Sequence, residues 1–184
     1  MDTKAIDIRF VGVRPILFDR YAGDNVTKLP THEKLYVDNA GGLVIPSLNI
    51  FSMLIAENTK SVCRQFHGKA GKTIGLGIGA NLEIRPYDIP LLGESEKQIR
   101  WTGEWTKQIS IRKDVARVKG GIPNAKERPE VALPWSLEFT AEWMENSDCS
   151  TDMLRLTFDL GRKLGLGTFR PFFGTFRLDK FDVQ

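Results

Sequence analysis

With only two cysteines, two histidines and three tyrosines in 184 residues, several options close at the outset. Cys63 and Cys149 lie far apart and share no metal-ligand spacing, so neither a disulfide framework nor a zinc site is expected. The opening Met1-Asp2-Thr3-Lys4 lacks the basic start and apolar stretch of a secretion signal. No apolar run approaches the length of a membrane span. The chain therefore reads as cytoplasmic, with no membrane partner. Internal repeats and low-complexity segments are missing as well. The net charge of +3 is too small to argue for nucleic acid by itself. Apolar content of 41% and charged content of 27% suit one globular domain over residues 1–184.

The charge is unevenly spread. Between Arg100 and Arg128, eight Lys/Arg face only Glu104, Asp114 and Glu127; between Gly161 and Lys180, five face only Asp179. Positive charge is thus concentrated in the second half. The C-terminal part also interleaves glycine, phenylalanine and arginine from Gly165 to Arg177. Arginine suits phosphate, and phenylalanine packs in a core or stacks on a base.

Hydrophobic periodicity orders the elements. Ile6, Ile8 and Phe10 alternate with Asp7 and Arg9, which predicts a half-buried strand. A polar stretch from Phe18 to Lys34 follows, then a short hairpin of Leu35-Tyr36-Val37 and Leu43-Val44-Ile45. Pro46 opens a helix whose face, Phe51, Ile55, Val62 and Phe66, runs from about Leu48 to Phe66 and stops at Gly68. Thr73 to Arg85 predicts a strand with Gly75, Gly77 and Gly79 on one bare face. Residues 86–134 fit regular elements poorly and read as a long insertion. Pro134 to Met144 alternates as a strand, Ser147 to Ser150 offers helix caps, and Met153, Leu156, Leu160 and Leu164 predict a helix ended by Gly165. A final strand spans Phe173 to Val183. The sum is an α+β, ferredoxin-like (RRM-like) βαββαβ domain with a long insertion between its second and third strands.

Several motifs carry competing readings. Gly68-Lys69-Ala70-Gly71-Lys72-Thr73 approaches a phosphate loop, but Phe66 stands where the first glycine belongs. The segment is also expected to lead from a helix into a strand, the reverse of a phosphate loop. His67, at a helix end, is a weak candidate for general acid or base work; His32 lies in a polar loop. Trp101 and Trp105 could stack on bases or pack the insertion onto the domain. Phe169 and Phe176 read as core, whereas Phe172 and Phe173 stay open. No cofactor and no metal is called for.

The chain resembles the RAMP superfamily, and most of all the guide-RNA-binding backbone subunits of CRISPR effector complexes. The resemblance rests on Leu43-Val44-Ile45-Pro46-Ser47 entering the first helix after a polar loop, and on an insertion where that family carries a protruding thumb hairpin. It rests further on Gly165-Leu166-Gly167 before Phe169-Arg170-Pro171, and on Phe173-Gly174-Thr175-Phe176 opening the last strand. It implies RNA held by Arg20 and Lys28 in the first loop, Ser47 and Asn49 at the helix start, and Lys60 and Arg64 beyond. In the insertion it implies Arg112, Lys113, Arg117 and Lys119, here called thumb-like over residues 86–134, and in the terminal loop Arg170. The implied function is a non-enzymatic, single-stranded RNA-binding subunit that self-associates in tandem copies or joins a ribonucleoprotein complex. The alternatives are a protein module that mimics or inserts into a CRISPR effector and inhibits it, and a metal-independent ribonuclease using His67 or His32.

Overall fold

The computed structural model describes residues 3–24, 26–57, 60–117 and 123–184. It is an α+β arrangement of antiparallel sheets and helices. The main sheet has the order β3-β5-β8-β1-β9, from Val44–Pro46, Asp88–Leu92, Ser136–Met144, Thr3–Gly12 and Phe176–Val183, and β4 (Leu82–Arg85) pairs with β8 beyond β5. A smaller sheet joins β2 (Ile16–Leu17), β7 (Pro123–Val131) and β6 (Ile109–Arg117). Among the described residues the α-helices are α1 (Ser47–Ile55), α2 (Val62–Phe66), α3 (Gly71–Asn81) and α4 (Thr151–Leu160). None is long and apolar enough to cross a membrane.

β1 forms as its alternation requires, with Ile6, Ile8 and Phe10 buried on the helix side. There Phe10 stacks on Phe176 at 4.0 Å and meets Phe139 edge-on at 5.2 Å. Phe158 of α4 packs over Phe139 and Phe181, at 6.3 and 6.0 Å. This aromatic cluster ties β1, β8, β9 and α4 into one core. Ser150 caps α4 by accepting from the Met153 amide at 3.2 Å.

The opposite face of the sheet is a lattice of charge. Arg9 pairs with Glu96, with Glu138 at 2.9 Å and with Asp179 at 3.7 Å. Lys180 pairs with Asp7 and Asp182, Arg177 with Asp179, and Arg85 with Glu83 and Glu142. Seven carboxylates there meet four cations, so this face is net acidic.

Several expectations are overturned. Residues 73–81 are helical, not a strand, and only Leu82–Arg85 extends. In a helix the alternating glycines separate: Gly75 and Gly79 face Cys63 and Ile55, whereas Gly77 faces Asn146, Asp148 and Cys149. A Cβ on Gly77 would sit 2.8 Å from Asn146 Oδ1, so the chain approach there needs the missing side chain. The Gly68–Thr73 segment thus leads from α2 into a helix, not into a strand. Its Gly71 has a packing reason, since a Cβ there would strike the Cys63 carbonyl oxygen.

The long helix from Leu48 to Phe66 is two helices: α1 ends at Ile55, Ala56 turns extended, and α2 starts at Val62. The face runs out because Asn58 and Thr59 stand where the next apolar residue is needed. The hairpin of Leu35 to Ile45 reduces to a bridge between Val37 and Leu43, and β3 takes β5 as its ladder partner. The buried face of α4 is Leu154, Thr157 and Phe158, while Leu156 points to solvent. The last strand begins at Phe176 rather than Phe173.

Candidate functional site

The terminal loop is where the two sheets meet. It is pinned at both ends: Thr168 donates to the Leu17 carbonyl at 2.9 Å, Leu166 to Gly174 at 2.9 Å, and Gly174 to Pro15 at 2.8 Å. Arg170 leaves this loop and donates to the Gly165 carbonyl at 3.3 Å. Burial holds its pKa down. With Asn49, Tyr36, Ser52 and Thr168 it lines a recess of about 270 Å³. Asn49 hydrogen-bonds the Tyr36 phenol, whose pKa burial raises and that bond lowers in part. The helix start and the terminal loop, distant in sequence, therefore meet here.

Asp19 links this recess to a second one of about 430 Å³, lined by Arg20, Lys28, Lys34 and Lys126 among others. Asp24 folds the first loop back by accepting from the Val26 amide at 2.7 Å and from the Thr27 hydroxyl at 2.7 Å, which sets Lys28 at the rim. Those bonds hold the Asp24 carboxyl below its usual range. Arg20, Lys28, Asn49 and Arg170 thus lie along one strip. Among the described residues, no carboxylate comes within ion-pair distance of Arg20, Lys28 or Arg170.

The cations of the hairpin formed by β6 and β7 behave differently. Arg112 pairs with Asp114 at 3.0 Å and Glu130 at 3.3 Å, and Lys113 pairs with Glu127 at 2.9 Å. Arg112 also sits over the Phe173 ring at 4.6 Å. Its cross-strand partner Arg128 sits over Phe169 at 5.8 Å. These two arginines fasten the terminal loop to the hairpin. Arg128 is 5% exposed and is held by Asp19 at 3.2 Å, with Lys126 and Lys34 on the same carboxylate. Sequence reasoning missed both Asp19 and Arg128, which lie 109 positions apart with no local signal linking them.

Other expected site residues lie apart from the strip. Ser47 is buried and faces a groove with Leu48, Phe51 and Tyr87. Arg64 lines a recess with Cys63, Lys72 and Gly75, and Lys60 is exposed. Trp101 packs partly on the core and touches Trp105, ring centres 4.6 Å apart. Lys119 and the side chain of Arg117 lie outside the described residues. Phe176 is core as expected, but Phe169 is 42% exposed. Its backbone adopts φ 58°, which turns the ring out of the core and onto Phe172.

His67 faces α4, not an open cleft. Its Nε2 lies 2.9 Å from the Thr157 hydroxyl, which gives its single proton to the Met153 carbonyl at 2.7 Å. The imidazole must therefore donate from Nε2. Burial lowers its pKa. The neutral form belongs to the fold, so stability is full above the unfolded pKa of roughly 6.5 and falls as pH drops below it. His67→Gln keeps a donor toward Thr157 and should flatten that loss, read from urea midpoints at about pH 7.5 and 5.5.

No protein-family model matches the chain, and no curated protein matches it in sequence. Among solved structures it is similar to a chain in the cryo-EM structure of the type III-B Cmr-beta bound to cognate target RNA. The identity is 14% and the TM-score 0.59, over 98% of this chain and 60% of that one. The two share a fold, and this chain spans 60% of the other's length.

Proposed function

We propose that the chain is a non-enzymatic subunit that binds single-stranded RNA along the strip from Lys28 to Arg170, within a ribonucleoprotein complex or in tandem copies of itself. The observation that carries this is the contrast between two faces. Arg20, Lys28 and Arg170 lack carboxylate partners among the described residues, while the open sheet face is net acidic. Phosphates are drawn to the first and repelled by the second. The fold shared with a chain from an RNA-bound complex supports the same reading.

The finer fold assignment rests on strand order. The neighbours β9-β1-β8-β4, with α1 to α3 before β4 and α4 before β9, support reading these four strands as the framework of a ferredoxin-like βαββαβ plan. β5, β6 and β7 then fall in the 86–134 insertion, and β6–β7 is its thumb.

The test is fluorescence anisotropy with a labelled single-stranded RNA over a salt series. Arg20→Ala, Lys28→Ala and Arg170→Ala together should weaken binding and flatten the salt slope by about 0.7 per lost contact. Lys113→Ala should do less, because that cation is already paired with Glu127. Unchanged affinity in the triple variant would sink the strip. RNA cleavage that depends on His67 would sink the non-enzymatic part.

A further inference from the structure

We infer that Phe172, backed by Phe169, is a stacking platform for an unpaired nucleobase; this rests on the RNA-binding reading above. Phe172 is 65% exposed and Phe169 42%, in a molecule whose other phenylalanines mostly pack inward. Their ring centres are 5.9 Å apart and inclined by 32°. Phe169 in turn lies 6.1 Å from Phe173. The three rings form a small ledge with Phe172 outermost.

Three observations make the ledge a built feature. The loop is held by backbone bonds at Thr168 and Gly174, so the rings are presented and not left to collapse. Phe169 occupies the left-handed region at φ 58°, which a bulky L residue adopts only when its surroundings impose it. Arg112 and Arg128 hold the inner rings from the hairpin side, which leaves the Phe172 face free. Arg14 reaches the carbonyls of Pro171 and Phe172 at 3.5 Å and has no carboxylate in ion-pair distance among the described residues.

The occupant follows from the charge around the rings. An apolar peptide would gain little from a ledge this small beside Arg14, a cation with no carboxylate in ion-pair distance among the described residues. A nucleotide satisfies both parts, its base on the ring and its phosphate beside the guanidinium. Stacking needs no particular base, so the platform would hold RNA without reading its sequence.

Phe172→Ala should weaken single-stranded RNA binding about tenfold, the size of one lost base stack, with an unchanged melting temperature. Phe172→Trp should keep wild-type affinity, and Phe172→Leu should bind as weakly as Phe172→Ala, since it keeps apolar bulk without a π-face. Against an abasic RNA backbone the Phe172→Ala effect should vanish. The platform is overturned if Phe172→Ala binds within about twofold of wild type while the Arg20, Lys28 and Arg170 triple variant is weakened; the RNA reading then survives without it. It is also overturned if Phe172→Leu binds like wild type, or if Phe172→Ala leaves RNA affinity intact and abolishes self-association on size exclusion. If the wild-type protein binds no RNA at low salt, the RNA reading itself falls and the platform with it.

Discussion

Gly174→Ala will cost about 3–5 kcal/mol and lower the melting temperature by roughly 10 °C. Two penalties combine there. Gly174 sits at φ +69°, where any L side chain is strained. A Cβ would also strike the Leu166 carbonyl, which already accepts no slack because the Leu166 amide is bonded back to Gly174 at 2.9 Å. Gly167→Val should behave alike, because its φ is +76° and a Cβ would strike the Leu17 carbonyl. Gly165→Val falls in the same class, with Phe173 O at 2.8 Å. Gly103→Ala is the control: φ is +91° but no atom of the described residues lies within 4 Å, so it should lose only the left-handed strain, about 1–2 kcal/mol. Equal melting of Gly174→Ala and Gly103→Ala would show that the terminal loop yields and that its glycines are not packing devices.

The glycines of this loop were legible in the sequence because three of them bracket bulky residues after a helix. The glycines of α3 were not. Ile74, Leu76 and Ile78 alternate with Gly75, Gly77 and Gly79, which is a strand's period, and glycine disfavours helix by up to about 1 kcal/mol per residue. The helix forms because two neighbours approach closely on opposite sides, Ile55 with Cys63 on one and the Asn146–Cys149 turn on the other. Such contacts are tertiary and override local propensity. β1 and β8 were legible for the opposite reason, since half-buried strands must alternate whatever lies across from them. The α4 face was misread because apolar residues occupy two of its faces; Thr157, buried and bonded to the Met153 carbonyl, marks the inward one.

The candidate site divides along similar lines. Arg20, Lys28, Asn49 and Arg170 were named by the family resemblance, and the fold brings them to one strip. Whether a cation is free or neutralised depends on its partners, and for Arg112 and Lys113 these come from the facing strand. Their density in sequence therefore overstated their availability. Tyr36 and Asp19, which shape the recess and join it to the next, carry no motif at all.

Asp19→Ala should be among the most damaging single changes to a part-exposed side chain, at about 3 kcal/mol and a loss of roughly 10 °C in melting temperature. The Arg128 side chain is 6% exposed and Asp19 22%, so little water screens the pair. Among the described residues Arg128 Nη1 lacks a hydrogen-bond partner, which leaves Asp19 to carry the compensation through Nε at 3.2 Å. Removing the carboxylate strands a guanidinium inside the protein and releases Lys126, paired at 3.6 Å, as an added like charge. Breaking one side of such a pair costs far more than replacing both sides, so Asp19→Ala with Arg128→Met should recover most of the stability. Arg128→Met also keeps a side chain against Phe169, so the terminal loop should stay in place and RNA affinity should return together with the melting temperature. Asp19→Ala alone should lose both, because the loop is anchored to the hairpin through Arg128. Thermal melts and RNA titrations of the two single variants and the double variant complete the cycle. If Asp19→Ala melts within a degree or two of wild type, the carboxylate is not what holds Arg128, and the link between hairpin and loop must run through Arg112 and Phe173 instead.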